Sequence, residues 1–177
     1  MGYFHKVTLV SNSKNPGLGD EASLAYFRHV GLTVRDIEQS LRFWRDAMGL
    51  VPVARQEVQG GYIEEITKEL GAHTLQANLQ FPGSDACIEL LQYVAPEGQQ
   101  IKVRPRDPGG GHVAVTCPDI GSLLERLVSA GGVPFGDPVV LDRGVNSGAI
   151  VLYLRDPDQH IVELVQPPVE RCREECE

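Results

Sequence analysis

Apolar and polar side chains roughly alternate through Tyr26-Phe27-Arg28-His29-Val30-Gly31-Leu32-Thr33-Val34. A period of two with this β-branched content predicts a strand. The period then lengthens. Asp36 is placed to cap a helix, Gln39 completes a capping box three residues on, and Ile37, Leu41, Phe43, Trp44, Ala47 and Met48 recur mostly at spacings of three and four. Gly49 is placed to end that helix. Residues 50–58, 72–81 and 86–94 read as strands, residues 62–70 as a short helix, and Gly60-Gly61 and Pro82-Gly83-Ser84-Asp85 as turns.

The same order of patterns then returns. Residues 111–117 read as a strand that begins with a histidine, and Asp119 caps a helix carrying Ile120, Leu123, Leu124, Leu127 and Val128, ended by Gly131-Gly132. Strands follow near 139–141, 149–154 and 160–165, with Asp156-Pro157-Asp158 as a turn. His-Val-Gly-Leu-Thr-Val-Arg-Asp-Ile from position 29 aligns with His-Val-Ala-Val-Thr-Cys-Pro-Asp-Ile from 112, and Ile-Glu-Leu-Leu-Gln from 88 aligns with Val-Glu-Leu-Val-Gln from 162. This is an internal repeat. The expected fold is α+β, with two tandem βαβββ modules forming a cupped, barrel-like mixed sheet and helices outside. The expected organisation is an extension over 1–25, a first module over 26–98, a linker over 99–110, a second module over 111–167 and a charged tail over 168–177. Within the extension, 4–10 reads as a short strand and 11–21 as a Ser/Asn/Gly/Pro loop.

Composition narrows the function classes. With 177 residues, 42% hydrophobic and 23% charged, the chain can build a core without disulfides or a structural metal, so a bound metal is expected to be functional. A formal charge of −8, from 16 basic and 24 acidic residues, argues against nucleic acid and anionic membranes as partners. The N-terminus lacks the apolar core of a signal peptide and no run reaches bilayer-spanning length, so a cytoplasmic location is expected. Cys87 and Cys117 lie in apolar stretches and read as buried free thiols, whereas Cys172 and Cys176 read as an idle pair in the tail.

The repeat carries the chemistry. His29 and His112 hold the same place in their halves, as do Glu89 and Glu163. Each half therefore offers one imidazole from its first strand and one carboxylate from its last, and in a cupped sheet these four side chains can converge. A set of two histidines and two glutamates suits Zn, Ni, Co, Mn or Fe(II). Other residues read more plainly. His73 is a surface or pocket residue, and His160, three residues before Glu163, falls on the opposite strand face. Phe43 and Trp44 are helix packing, and Gly109-Gly110-Gly111 is a flexible linker, since no helix or lysine of a phosphate loop follows. Arg143 and Asn146 lie in a polar loop that can close over a ligand.

Taken in order, His29-Val30-Gly31-Leu32-Thr33-Val34, Phe43-Trp44-Arg45-Asp46, Gly49-Leu50, Ile88-Glu89-Leu90-Leu91, His112-Val113-Ala114-Val115, Leu154-Arg155-Asp156-Pro157-Asp158 and Val162-Glu163-Leu164 resemble the vicinal oxygen chelate superfamily. That superfamily includes glyoxalase I, methylmalonyl-CoA epimerase, extradiol dioxygenases, and fosfomycin and bleomycin resistance proteins. The resemblance implies a metal at the mouth of a cupped sheet that chelates adjacent substrate oxygens and stabilises an enediolate-like anion. It also implies a small-molecule substrate and allows a homodimer. A carboxylate at Glu89 matches glyoxalase I and suits a base that removes a proton beside a carbonyl, which favours an isomerase, epimerase or lyase. Neither named activity transfers whole. Thr33 stands where glyoxalase I has an arginine for glutathione, and Tyr93 where it has an asparagine. Methylmalonyl-CoA epimerase has glutamine at the place of Glu89 and a further glutamate where this chain offers Ala77 or Asn78. An Fe(II)-dependent dioxygenase using His29, His112 and Glu163, or a non-catalytic drug- or metabolite-binding protein, are the alternatives.

Overall fold

The computed structural model describes residues 27–168, so the expected strand at 4–10, the loop at 11–21 and the tail cysteines lie outside the described residues. The first module runs β1 (Val30–Val34), α1 (Ile37–Leu41) continued by a π-helical stretch (Arg42–Ala47), β2 (Val51–Gln59), α2 (Tyr62–Thr67), β3 (His73–Gln80) and β4 (Cys87–Ala95). The second runs β5 (His112–Thr116), α3 (Ile120–Ser129), β6 (Val133–Pro134), β7 (Val139–Val140), β8 (Ile150–Arg155) and β9 (Ile161–Gln166). Each module closes its own mixed sheet. The first has the order β1-β4-β3-β2, the second β5-β9-β8-β6 with β7 also paired to β8. In both, the first strand runs parallel to the last and the other pairings are antiparallel. The α+β tandem architecture is thus as expected, with one cupped sheet per module. None of the helices among the described residues is long and apolar enough to cross a membrane.

One core joins the modules. Leu32, Val34, Ile88 and Leu90 from the first sheet and Leu152, Leu154, Val162 and Leu164 from the second are buried with Phe43, Trp44, Leu123 and Leu127 from the helical layer between them. Since strand neighbours alternate between faces, the residues flanking these core positions face away from the shared layer. The two cups therefore open outward on opposite sides of the helices.

The helix starts are fixed twice over. Asp36 accepts hydrogen bonds from the backbone N–H of Glu38 and Gln39, and Asp119 from those of Gly121 and Ser122. The next free N–H groups, those of Ile37 and Ile120, donate to Gln92 Oε1 and Gln166 Oε1 at 2.9 Å each. A turn from the second module then straps onto the first. Asp156, fully buried, accepts from Trp44 Nε1 at 3.2 Å, and Asp158 accepts from Ser40 Oγ and from the Arg35 backbone.

Candidate functional site

The two parallel ladders are copies of one another. Gly31 stands opposite Glu89, and Ala114 opposite Glu163. His29, just before β1, and His112, opening β5, each stand two residues earlier and so share a face with the glutamate of their own module. His29 Nε2 lies 3.4 Å from Glu89 Oε2, and His112 Nε2 lies 3.0 Å from Glu163 Oε2. All four side chains are partly open to solvent, while Ile88, Leu90, Val162 and Leu164 beside them point into the core. Backbone alternation thus presents these polar groups on the cup faces.

The four residues are gathered two and two. Among the described residues, no three His, Cys, Asp or Glu side chains come together as a cation site. Each pair offers a nitrogen and an oxygen donor already within hydrogen-bond distance, so each fits one half of a two-histidine, two-glutamate metal set. One chain carries two half-sites that face apart.

The cups differ in lining. Beside Glu89 stands Asn78, and along the same face Gln56 donates to Gln76, which donates to Thr74 Oγ1 at 3.0 Å. Beside Glu163 stands Tyr153, its ring centroid 5.3 Å from that of His112. Burial pushes the Tyr153 phenol up from its ordinary pKa, and the negative charge of Glu163 pushes it further, so the hydroxyl stays a proton donor. Phe135 meets the Tyr153 ring edge-on at 6.1 Å, and the Arg155 guanidinium lies 5.0 Å over the Phe135 ring. Sequence reasoning missed Tyr153, Phe135 and Arg155. The signal for Tyr153 was its place across the Asp156-Pro157-Asp158 turn from Glu163.

The remaining candidates stand apart from the pairs. His73 Nε2 contacts Glu57 Oε1 at 2.6 Å, and His160 Nε2 contacts the Thr33 carbonyl at 2.9 Å. Phe43 and Trp44 are fully buried packing residues, and Arg143 pairs with its neighbour Asp142 in an exposed loop. Cys117 is a buried thiol, pushed up in pKa by that burial, and Cys87 is half-buried. The glycine run before His112 is held in a defined turn. Gly110 donates to the Asp107 carbonyl at 3.0 Å, and a Cβ built on Gly110 would meet that same oxygen at 3.0 Å.

The fold and the sequence have known counterparts. The chain is 28% identical over 144 residues to a 2-epi-5-epi-valiolone epimerase of an Actinomyces species, a match covering 79% of this chain and 78% of that protein. It is 22% identical over 140 residues to a lactoylglutathione lyase of Arabidopsis thaliana, where 79% of this chain spans only 44% of the plant enzyme. The fold superposes on a glyoxalase family protein from Bacillus cereus with a TM-score of 0.72 at 21% identity, covering 85% of this chain and 99% of that one. The profile of one family matches residues 26–164, which take in both modules and all four His and Glu residues of the half-sites. The chain belongs to the Glyoxalase/Bleomycin resistance protein/Dioxygenase superfamily.

Proposed function

We propose that this protein is a metal-dependent isomerase, epimerase or lyase acting on a small oxygenated substrate, with His29 and Glu89 of one chain and His112 and Glu163 of a second copy holding one divalent ion. The observation that carries this reading is the duplicated His–Glu pair on outward-facing cups. A two-fold dimer that sets the β1 edge of each chain's first sheet beside the β5 edge of the other's second sheet, with both cups of a pair opening the same way, completes two equivalent four-ligand sites.

When bound, Ni, Co, Zn, Mn or Fe would act as a Lewis acid toward adjacent substrate oxygens. The protein's own groups do the rest. Glu89 or Glu163, acting as a carboxylate base, removes the proton on the carbon beside a carbonyl and returns it at the same or the neighbouring carbon. Tyr153 keeps its proton at neutral pH and can donate a hydrogen bond to negative charge developing on a substrate oxygen. Relatives named as a 2-epi-5-epi-valiolone epimerase and a lactoylglutathione lyase support the epimerase or lyase reading.

The test is metal content by elemental mass spectrometry, with His29→Ala and His112→Ala measured singly and then mixed. Each variant alone is expected to lose high-affinity metal. After mixing and re-association, half of the dimers are mixed and one of their two sites is intact, so about a quarter of the wild-type capacity should return. Two inert variants that stay inert when mixed would sink the shared site, and a wild-type chain that takes up no transition metal would sink the metal reading itself.

A further inference from the structure

Arg155 is a buried cation with no carboxylate partner among the described residues. It is 6% exposed. Its NH1 and NH2 groups donate to the carbonyls of Gln159 at 2.8 Å and Val103 at 2.7 Å, and its guanidinium rests on Phe135. Neutral carbonyls and a ring face offset part of the desolvation of a guanidinium but supply no countercharge, and a buried charge is ordinarily paired. The place is specific. Arg155 pairs across the sheet with Ile161, which pairs with His112, so the guanidinium's strand position is in the same row and on the same face as the half-site imidazole.

The carbonyl that Arg155 holds belongs to the linker, and the linker is basic. Lys102 precedes Val103 and Arg106 follows three residues on, both exposed and neither in an ion pair among the described residues, while Arg104 is neutralised by Asp107. Arg155, Lys102 and Arg106 therefore give a local excess of positive charge in a chain of formal net charge −8. A basic linker segment bonded to an uncompensated cation, on a face that otherwise carries Glu163, is what an anionic ligand would be drawn to.

We propose that Arg155, with Lys102 and Arg106, forms an oxyanion subsite beside the His112–Glu163 pair, so that the substrate carries a carboxylate or phosphate group in addition to its vicinal oxygens. This rests on the reading of the second cup as part of the substrate site. The guanidinium selects the anionic group, the linker closes over it, and the reactive end of the substrate is left facing the His–Glu pair.

The test is thermal unfolding of the full-length chain against rising inorganic phosphate, succinate or sodium chloride at matched ionic strength, since a ligand that binds only the folded state raises the midpoint saturably. One of the two oxyanions should raise the midpoint beyond chloride: phosphate points to a phosphorylated substrate, succinate to a carboxylated one. Arg155→Met should weaken the response about tenfold or more, as expected for loss of a charge-assisted contact. Should that variant fail to fold, the surface pair Lys102→Ala/Arg106→Ala still decides, with the half-effect concentration expected to rise several-fold. The response should persist after chelation, which separates it from metal binding. Neither oxyanion exceeding chloride, an unchanged response in the folded variants, or a response that vanishes with the metal would each overturn the proposal. A chain that binds metal but no oxyanion leaves the metal reading standing.

Discussion

At Tyr153 a phenol stands across the β8–β9 pairing from the carboxylate of Glu163. Burial is the larger cause of its raised pKa and Glu163 the second, so Glu163→Gln should bring the phenol part of the way back down and leave the burial effect in place. Ultraviolet titration of Glu163→Gln against Glu163→Gln/Tyr153→Phe isolates this one of five tyrosines, and a phenol that does not move would mean its hydroxyl does not sense the carboxylate. Such a residue is hard to read in sequence. A tyrosine inside Ile-Val-Leu-Tyr-Leu looks like packing, and only strand pairing across the turn sets it against Glu163. The histidines and glutamates were legible for the opposite reason. Each recurs at the same place in a repeat, which no packing requirement explains for polar side chains flanked by Ile88, Leu90, Val162 and Leu164.

Elements show a second use of the same repeat. Glu89 and Gln92, like Glu163 and Gln166, are three residues apart and so fall on opposite faces of the last strand of their module. The glutamate goes to the cup, and the glutamine reaches the helix and takes the N–H of Ile37 or Ile120. Gln92→Ala and Gln166→Ala should each cost about 1–2 kcal/mol by leaving a helix N–H without its acceptor, measurable by urea unfolding, with no change in metal content. Equal stability of variant and wild type would show that water replaces the glutamine. Asp36 capped its helix as the pattern required, but Gln39 turned toward the second module, its Nε2 lying 3.8 Å from where a Cβ on Gly131 would sit. The helix also changes period midway. In the π-helical stretch Met48 N–H donates to the Phe43 carbonyl, five residues back, and the wider turn buries the adjacent Phe43 and Trp44 together. A sequence window tuned to 3.6 residues cannot register that change. Nor did it register β6, a strand of only two residues with a proline in it. Gly132 shows the tightness of this joint, since an added Cβ would meet the Leu127 carbonyl at 2.8 Å and the Phe43 ring at 3.0 Å. Gly132→Ala should therefore cost about 1–3 kcal/mol through overpacking, readable as a lowered unfolding midpoint.

For the whole molecule, periodicity told which residues face away from the core, but not which sheets face each other. The repeat lets the four polar residues converge and leaves open whether they do so within one chain or across a dimer interface. The helices of both modules share a single layer, which turns the cups outward, and the strap from the second module packs across that joint. Asp156 sits at the centre of the strap, accepting from Trp44 Nε1 and from the backbone N–H groups of Asp158 and His160. Asp156→Ala leaves three donors without an acceptor and should cost about 3 kcal/mol, loosening the module joint. The wild-type carboxyl also sets a pH dependence. Burial raises its folded-state pKa above the ordinary carboxylate value, outweighing the lowering by His160 and Trp44. The folded state therefore holds this proton to higher pH than the unfolded chain. Its contribution to stability is full below the ordinary carboxylate range and is lost as pH rises through the raised folded value. Asp156→Asn keeps one acceptor oxygen but cannot ionise, so the stability difference between wild type and Asp156→Asn should shift in favour of wild type as pH falls through that window. Denaturant unfolding of both proteins from pH 7 downward measures it. Parallel curves would mean that Asp156 ionises as it does in the unfolded chain and that the strap is open to water. A difference that grows as pH falls would instead make the buried Asp156 carboxyl the residue that ties the pH dependence of stability to the module joint.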